Sequence, residues 1–121
     1  MNSKIIWKTP EESINGKSRF SLIDDGKITL LKMEFEGKKA EIKFSNTMCY
    51  KHTCINFSDD FIKMPECYEA LIELEKSDWL LQIEESHKED FFLWELKHYA
   101  ILNENDGLFQ FIAEGYSISE A

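Results

Sequence analysis

The chain has 121 residues, 43% of them apolar and 13% aromatic, with only five Gly and two Pro. That composition excludes disordered, collagen-like and low-complexity classes and is enough for one hydrophobic core without covalent staples. The formal charge is −9, from 14 Lys and Arg against 23 Asp and Glu, which speaks for solubility and against a phosphate-backbone ligand.

In chain order, residues 1–19 are polar and broken by Pro10, Asn15 and Gly16; Ile5, Ile6 and Trp7 within them form either a short edge strand or an anchoring hook. Phe20-Ser21-Leu22-Ile23 is a short apolar piece, and Asp24-Asp25-Gly26 reads as a turn. From Ile28 to Glu36 the residues Thr29, Leu31, Met33 and Phe35 share one parity and end nearly all apolar, as a half-buried strand requires. Glu36-Gly37-Lys38-Lys39 is a second turn. Ala40, Ile42 and Phe44 then alternate with Glu41, Lys43 and Ser45, so residues 28–44 are expected to form an antiparallel hairpin across Gly37. A third strand is expected within Asn46–Phe57 after an irregular start.

Ser58-Asp59-Asp60 breaks that run. Pro65 suits the first turn of a helix, and Cys67, Leu71 and Leu74 recur at spacings of four and three, which predicts an amphipathic helix over residues 65–76 with Glu69 and Glu73 on its wet side. Ser77-Asp78 can cap a second helical piece over 79–86, with Trp79, Leu80 and Ile83 inward. One kinked helix and two short ones fit equally. Trp94–Leu102 and Leu108–Ala113 are expected to pair across the turn signal Asn103-Glu104-Asn105-Asp106-Gly107, with Gly115 ending the return strand. Leu71, Leu74, Trp79, Ile101 and Phe111 are the expected core.

The order β-β-β-α-β-β predicts an α+β fold: an antiparallel sheet of about five strands with the helical segment packed on one face. Residues 1–121 read as a single domain. No apolar run approaches the ~18 residues of a membrane span. The segment Ile5-Ile6-Trp7 is too short for a signal peptide, so a cytoplasmic location is expected.

Three cysteines, Cys49, Cys54 and Cys67, fit free thiols in a reducing compartment. The trio Cys49, His52 and Cys54 invites a zinc reading, but its spacing is not that of a zinc knuckle and a fourth ligand is missing. On an extended strand Cys49 and His52 also face opposite sides. No metal or other cofactor is expected. The sequence lacks a glycine-rich phosphate loop, paired CxxC, HExxH and GxSxG. No set of nucleophile, base and orienting group stands out, so no catalytic residue is assigned. A pocket near His52, Cys54 and His98 is the basis of an alternative reading, a small-molecule-binding domain or small enzyme.

The distribution of charge points elsewhere. Residues 1–55 hold ten basic and seven acidic groups, residues 56–121 four and sixteen. The acidic half would repel nucleic acid and anionic membrane and attract a basic protein. Glu69, Glu73, Glu84, Glu85, Glu89 and Asp90 are the expected negative surface, with Phe91 and Phe92 beside it as an apolar contact.

The stretch from Pro65 to Leu80 resembles a helix in small uncharacterised bacterial α+β proteins, as does the hairpin His98-Tyr99-Ala100-Ile101-Leu102 with Asp106-Gly107-Leu108-Phe109-Gln110-Phe111-Ile112-Ala113-Glu114. Lys27–Tyr50 is similar to their strand-rich N-terminal part. Some such proteins are similar to immunity proteins of bacterial toxin systems. The resemblance covers about half the chain. It implies a cytosolic bacterial protein with a binding role and carries over no functional residue.

Overall fold

A computed structural model of the chain describes residues 3–9, 19–24, 28–35, 37–54, 67, 69–86, 95–103 and 106–120. These form nine strands and one α-helix: β1 (Ser3–Lys8), β2 (Arg19–Asp24), β3 (Thr29–Phe35), β4 (Lys38–Ser45), β5 (Cys49–Thr53), β6 (Ala70–Leu74), α1 (Asp78–Ser86), β7 (Lys97–Asn103), β8 (Gly107–Ala113) and β9 (Gly115–Glu120). The strands build two antiparallel sheets rather than the one expected, ordered β1-β6-β7-β8-β5 and β2-β3-β4-β9. The α+β character holds; the count of about five strands does not.

Both expected hairpins form. β3 and β4 pair from Phe35↔Lys38 to Thr29↔Phe44, turning at Gly37, whose φ of +79° is a glycine conformation. β7 and β8 pair from Asn103↔Gly107 to Lys97↔Ala113. The third strand is found as β5, but it pairs with β8 and not with the first hairpin. Ile5 and Trp7 belong to an edge strand, which settles the N-terminal alternative.

The two sheets meet at a corner made by two chain segments that pass from one to the other. β4 runs into β5 through residues 46–48, and β8 runs into β9 through Glu114. The two crossings run side by side: Met48 N–H donates to the Ile112 carbonyl at 2.8 Å, Glu114 N–H to the Ser45 carbonyl at 3.0 Å, and Asn46 Nδ2 to the Glu114 carboxylate at 2.9 Å. Asn46 takes φ +51° to make the bend, a conformation Asn tolerates better than most residues. Strands that switch sheets at a bend are how a sheet folds over on itself. Gly115 therefore begins a ninth strand where the sequence suggested an end.

Over the described residues 69–76 a strand and its flanking turns stand where a helix was expected. Ala70–Leu74 is an interior strand, and Glu69 and Lys76 on either side of it take φ of +53° and +50°, which no right-handed helix can accommodate. The reason is that β6 is covered on both faces: Leu71 enters the core between the sheets while Ala70, Ile72 and Leu74 face outward and are also buried. A strand buried on both faces is apolar at nearly every position, and five such residues satisfy the helical spacing by coincidence.

The core between the sheets joins Phe20, Leu31, Met33, Phe35, Ile42 and Phe44 of one to Leu71, Tyr99, Ile101, Phe109 and Phe111 of the other. Phe44 stacks on Phe111 at 4.0 Å and touches Tyr99 at 5.7 Å, each such pair adding ~0.5–1.5 kcal/mol to simple burial. Polar bonds close the margins. Phe20 N–H donates to Asp106 Oδ2 at 2.6 Å, and Trp7 Nε1–H to Glu120 Oε1 at 2.8 Å. A second apolar cluster, Cys67, Ile72, Leu74, Ala100, Leu102 and Leu108, lies on the opposite face of the five-stranded sheet, the side on which α1 rests against β7.

Candidate functional site

α1 is a short helix fixed to its sheet by one polar chain. Ser77 stands at the N-cap, its Oγ accepting Leu80 N–H at 3.2 Å. The same Oγ lies 2.6 Å from His98 Nδ1, and His98 Nε2 lies 2.8 Å from Gln110 Oε1. Since an amide oxygen only accepts, His98 carries its proton on Nε2, and Ser77 donates its hydroxyl proton to Nδ1. The ring of Trp79 meets His98 edge-on at 5.1 Å, and Lys51 Nζ sits 4.5 Å from the centre of the Trp79 ring, a cation–π contact. Ser77, His98 and Gln110 are all buried. The sequence reading assigned Ser77 the cap and missed the rest; His98 and Gln110 share the parity of Ala100 and Leu108, which was the available signal.

With Trp79, Leu80 and Ile83 turned toward the sheet, the helix presents Asp78, Leu81, Gln82, Glu84 and Glu85 to solvent. Trp79 is half-buried and not the fully buried core residue expected. Leu81 is 47% exposed. It lies three residues after Asp78 and three and four before Glu84 and Glu85, so carboxylates surround an apolar centre. Asp78 suits the N-terminal end of the helix dipole. Glu84 and Glu85 oppose it: they occupy the last turn, where no basic residue stands. Each such placement costs ~0.3–1 kcal/mol.

The remaining residues of the expected acidic surface are not on this face. Glu69 is buried where the chain enters β6: its carboxylate accepts the Thr9 hydroxyl at 3.0 Å and its carbonyl accepts Thr9 N–H at 3.0 Å. Glu73 is half-buried on β6, directly opposite Tyr99. They were expected to share one helical face because a helix brings i and i+4 together. On the strand Glu73 shares the parity of core-facing Leu71 and so turns away from α1, while Glu69 lies in the turn before the strand. Glu89, Asp90, Phe91 and Phe92 lie outside the described residues.

The pocket expected near His52, Cys54 and His98 does not assemble. His52 pairs with Phe109 and His98 with Ile112, so the two imidazoles belong to opposite faces of the sheet. His52 stacks on the Phe109 ring at 4.4 Å and within 6°, and its Nε2–H donates to the Asp106 carbonyl. Cys49 pairs with Ile112, on the face away from His52, as strand parity requires. Burial pushes its thiol pKa up, partly countered by the Lys51 ammonium, so it lacks the lowered pKa of a reactive cysteine. Among the described residues no three His, Cys, Asp or Glu converge as a metal site, and no helix is long and apolar enough to cross a membrane. Burial, then the carboxylate of Glu73 and the neighbouring Tyr116, push the Tyr99 pKa up to about 12. No protein-family model, curated protein or solved structure matches the chain.

Proposed function

We propose that this is a non-catalytic protein-binding domain and that the outward face of α1 is its docking surface, Leu81 providing the apolar centre and Asp78, Glu84 and Glu85 the charged rim. The partner is a protein with a basic patch. An immunity-type role in a bacterial cytoplasm, in which the partner is a basic toxin, is the form that the sequence resemblance suggests.

The observation that carries this reading is the position of Glu84 and Glu85. They stand in the last turn, the end of the helix dipole that disfavours carboxylates, beside an exposed leucine. Solubility would be served as well by acids placed elsewhere. Interfaces of modest size draw their energy from a few apolar anchors ringed by polar groups, and the rim charges speed encounter with a partner of opposite sign. The same rim opposes nucleic acid and anionic membranes.

The test is affinity capture from the native host with three baits: the wild-type chain, Leu81→Asp, and the double variant Glu84→Lys, Glu85→Lys. A basic protein held by the wild type and lost from both variants supports the assignment. Equal capture by all three removes α1 as the surface.

A further inference from the structure

Among the described residues four strands lie at sheet edges, and three of them carry features that block a further strand. β1 has a register shift between Ile5 and Trp7 and lysines at positions 4 and 8. β5 is five residues long with Lys51 at its middle. β2 is bounded by Arg19 and Asp24, and its Phe20 N–H is already taken by the Asp106 carboxylate. Bulges, short length, lysines and covering side chains are the devices that keep sheet edges from pairing.

β9 has none of them. It pairs with β4 over six successive residues, Gly115↔Ser45 to Glu120↔Ala40, without a register shift. It has no proline, and no charged residue between Gly115 and Ser119. Among the described residues its hydrogen bonds run to β4 and, through the Glu120 carboxylate, to Trp7. Its other edge offers backbone N–H and C=O groups, which an extended chain matches. Beside it Tyr116 is 40% exposed.

We propose that this edge docks a second copy of the chain, the two β9 strands pairing antiparallel about a two-fold axis and joining two four-stranded sheets into one. Sheet continuity requires that paired residues face the same side. Gly115, Ser117 and Ser119 are on the outer face, and Tyr116, Ile118 and Glu120 on the inner. Only registers that keep this parity are allowed, and the two central ones set Ser117 against its own copy or Ile118 against its own copy. In the first, Tyr116 meets Ile118; in the second, it meets Glu120. Each covers the tyrosine ring, and neither brings the two Glu120 carboxylates face to face. The first, however, sets Glu120 opposite Glu114 of the other copy, whereas the second sets it opposite Tyr116, so in a chain of net charge −9 the register centred on Ile118 is the one that escapes like-charge opposition. The contact is isologous and closes at two copies. A single strand pair falls short of the ~1,200 Å² of a standard stable interface, so the dimer is weak and concentration-dependent.

Sedimentation velocity on the whole chain, from about 10 μM to about 1 mM, tests this through mass action. The wild type should move from monomer toward dimer across that range. Ser117→Lys should remain monomeric throughout, although it lowers the net negative charge and so would favour any association not passing through β9. Ser21→Lys makes the same charge change on the β2 edge and should dimerise as the wild type does. Amide resonances of Tyr116–Ser119 should shift with concentration while those of α1 stay fixed. A wild type monomeric at the highest concentration overturns the proposal. So does a Ser117→Lys protein that dimerises normally, loss of dimer in Ser21→Lys, or a shift centred on Leu81. Ser119→Lys, also outward and exposed, replaces Ser117→Lys if that variant fails to fold.

Discussion

The hydroxyl of Ser77 joins α1 to the five-stranded sheet: it caps the helix through Leu80 N–H and holds His98 Nδ1 at 2.6 Å. The whole chain of donors runs in one direction, from Leu80 N–H to Ser77, from Ser77 to His98, and from His98 to Gln110. It ends at Gln110 Nε2, a buried atom without a hydrogen-bond partner. Ser77→Ala removes the cap and also leaves an imidazole nitrogen unsatisfied. The cap is worth ~0.5–2 kcal/mol and the orphaned acceptor ~1–3 kcal/mol. Urea unfolding should show a loss near the sum, larger than that of an exposed cap, and a loss under half a kcal/mol would mean that the His98 contact contributes nothing.

Leu74 tests the reassignment of residues 70–74 from helix to strand. It is 1% exposed and packs with Ile72, Ala100, Leu102 and Leu108. Leu74→Ala should cost ~2–5 kcal/mol in equilibrium unfolding. Ala, a better helix former than Leu, would partly offset that loss if the segment were helical.

Gly107 tests the second hairpin. Its φ is +96°, and an added Cβ would overlap the carbonyl of Thr53 in the neighbouring strand. Gly107→Ala should therefore lower the thermal midpoint through backbone strain and displacement of β5 together. The corresponding change at Gly37, whose φ is +79° with open space around it, should cost the strain alone. A larger effect at Gly37 would contradict the packing of β5 on β8.

The contrast between those glycines shows where the sequence was legible. Local signals were read correctly: the alternation of Ala40, Ile42 and Phe44, the turn at Gly37, the Asp106-Gly107 turn, and the Ser77 cap before α1. Each depends on residues within about ten positions of one another. What was missed is non-local. The strand from Cys49 to Thr53 was expected, but its partner β8 begins more than fifty residues later. Two sheets were not anticipated because the corner is made by Asn46 and Glu114, 68 positions apart in the chain. The misreading of 70–74 also displaced two of the four candidate-site residues that the structure describes, since Glu69 and Glu73 share an exposed face only on a helix. Glu84 and Glu85 are exposed on α1, a segment whose Ser77 cap and apolar spacing are local signals of a helix.

Tyr99 makes stability depend on pH in alkali. Its folded pKa is raised to about 12, against about 10 in the unfolded chain. Below about 10 both states hold the proton and the contribution is complete. Between about 10 and about 12 the unfolded state loses its proton first, so stability falls as pH rises. Tyr99→Phe keeps the ring packed on Phe44 and removes this proton. The variant should lose less stability than the wild type between pH 10 and pH 12, and parallel curves for the two would remove Tyr99 as a source of the alkaline slope.

The last prediction separates helix stability from binding at α1. Replacing Glu84 and Glu85 by Lys places cations at the C-terminal end of the helix, where the dipole favours them. The free protein should therefore become more stable by ~1–4 kcal/mol for the pair, because an unfavourable charge is removed and a favourable one gained at each site. Association with a basic partner should change in the opposite sense. The encounter should slow several-fold at low salt, with dissociation changed less. The difference should shrink above ~0.15 M salt, where the screening length is about 8 Å. Measuring thermal stability and association rate on the same variant distinguishes the readings. A stabilised variant that binds more slowly means that the two acids serve docking at the expense of the helix. A stabilised variant with an unchanged association rate at low salt means that they serve only solubility, and the α1 assignment is then withdrawn. A variant that is not stabilised means that the Glu85 side chain has a structural contact in the fold that outweighs the dipole. In that case Asp78→Lys, which changes the rim at the other end of the helix, becomes the measure of charge in the encounter.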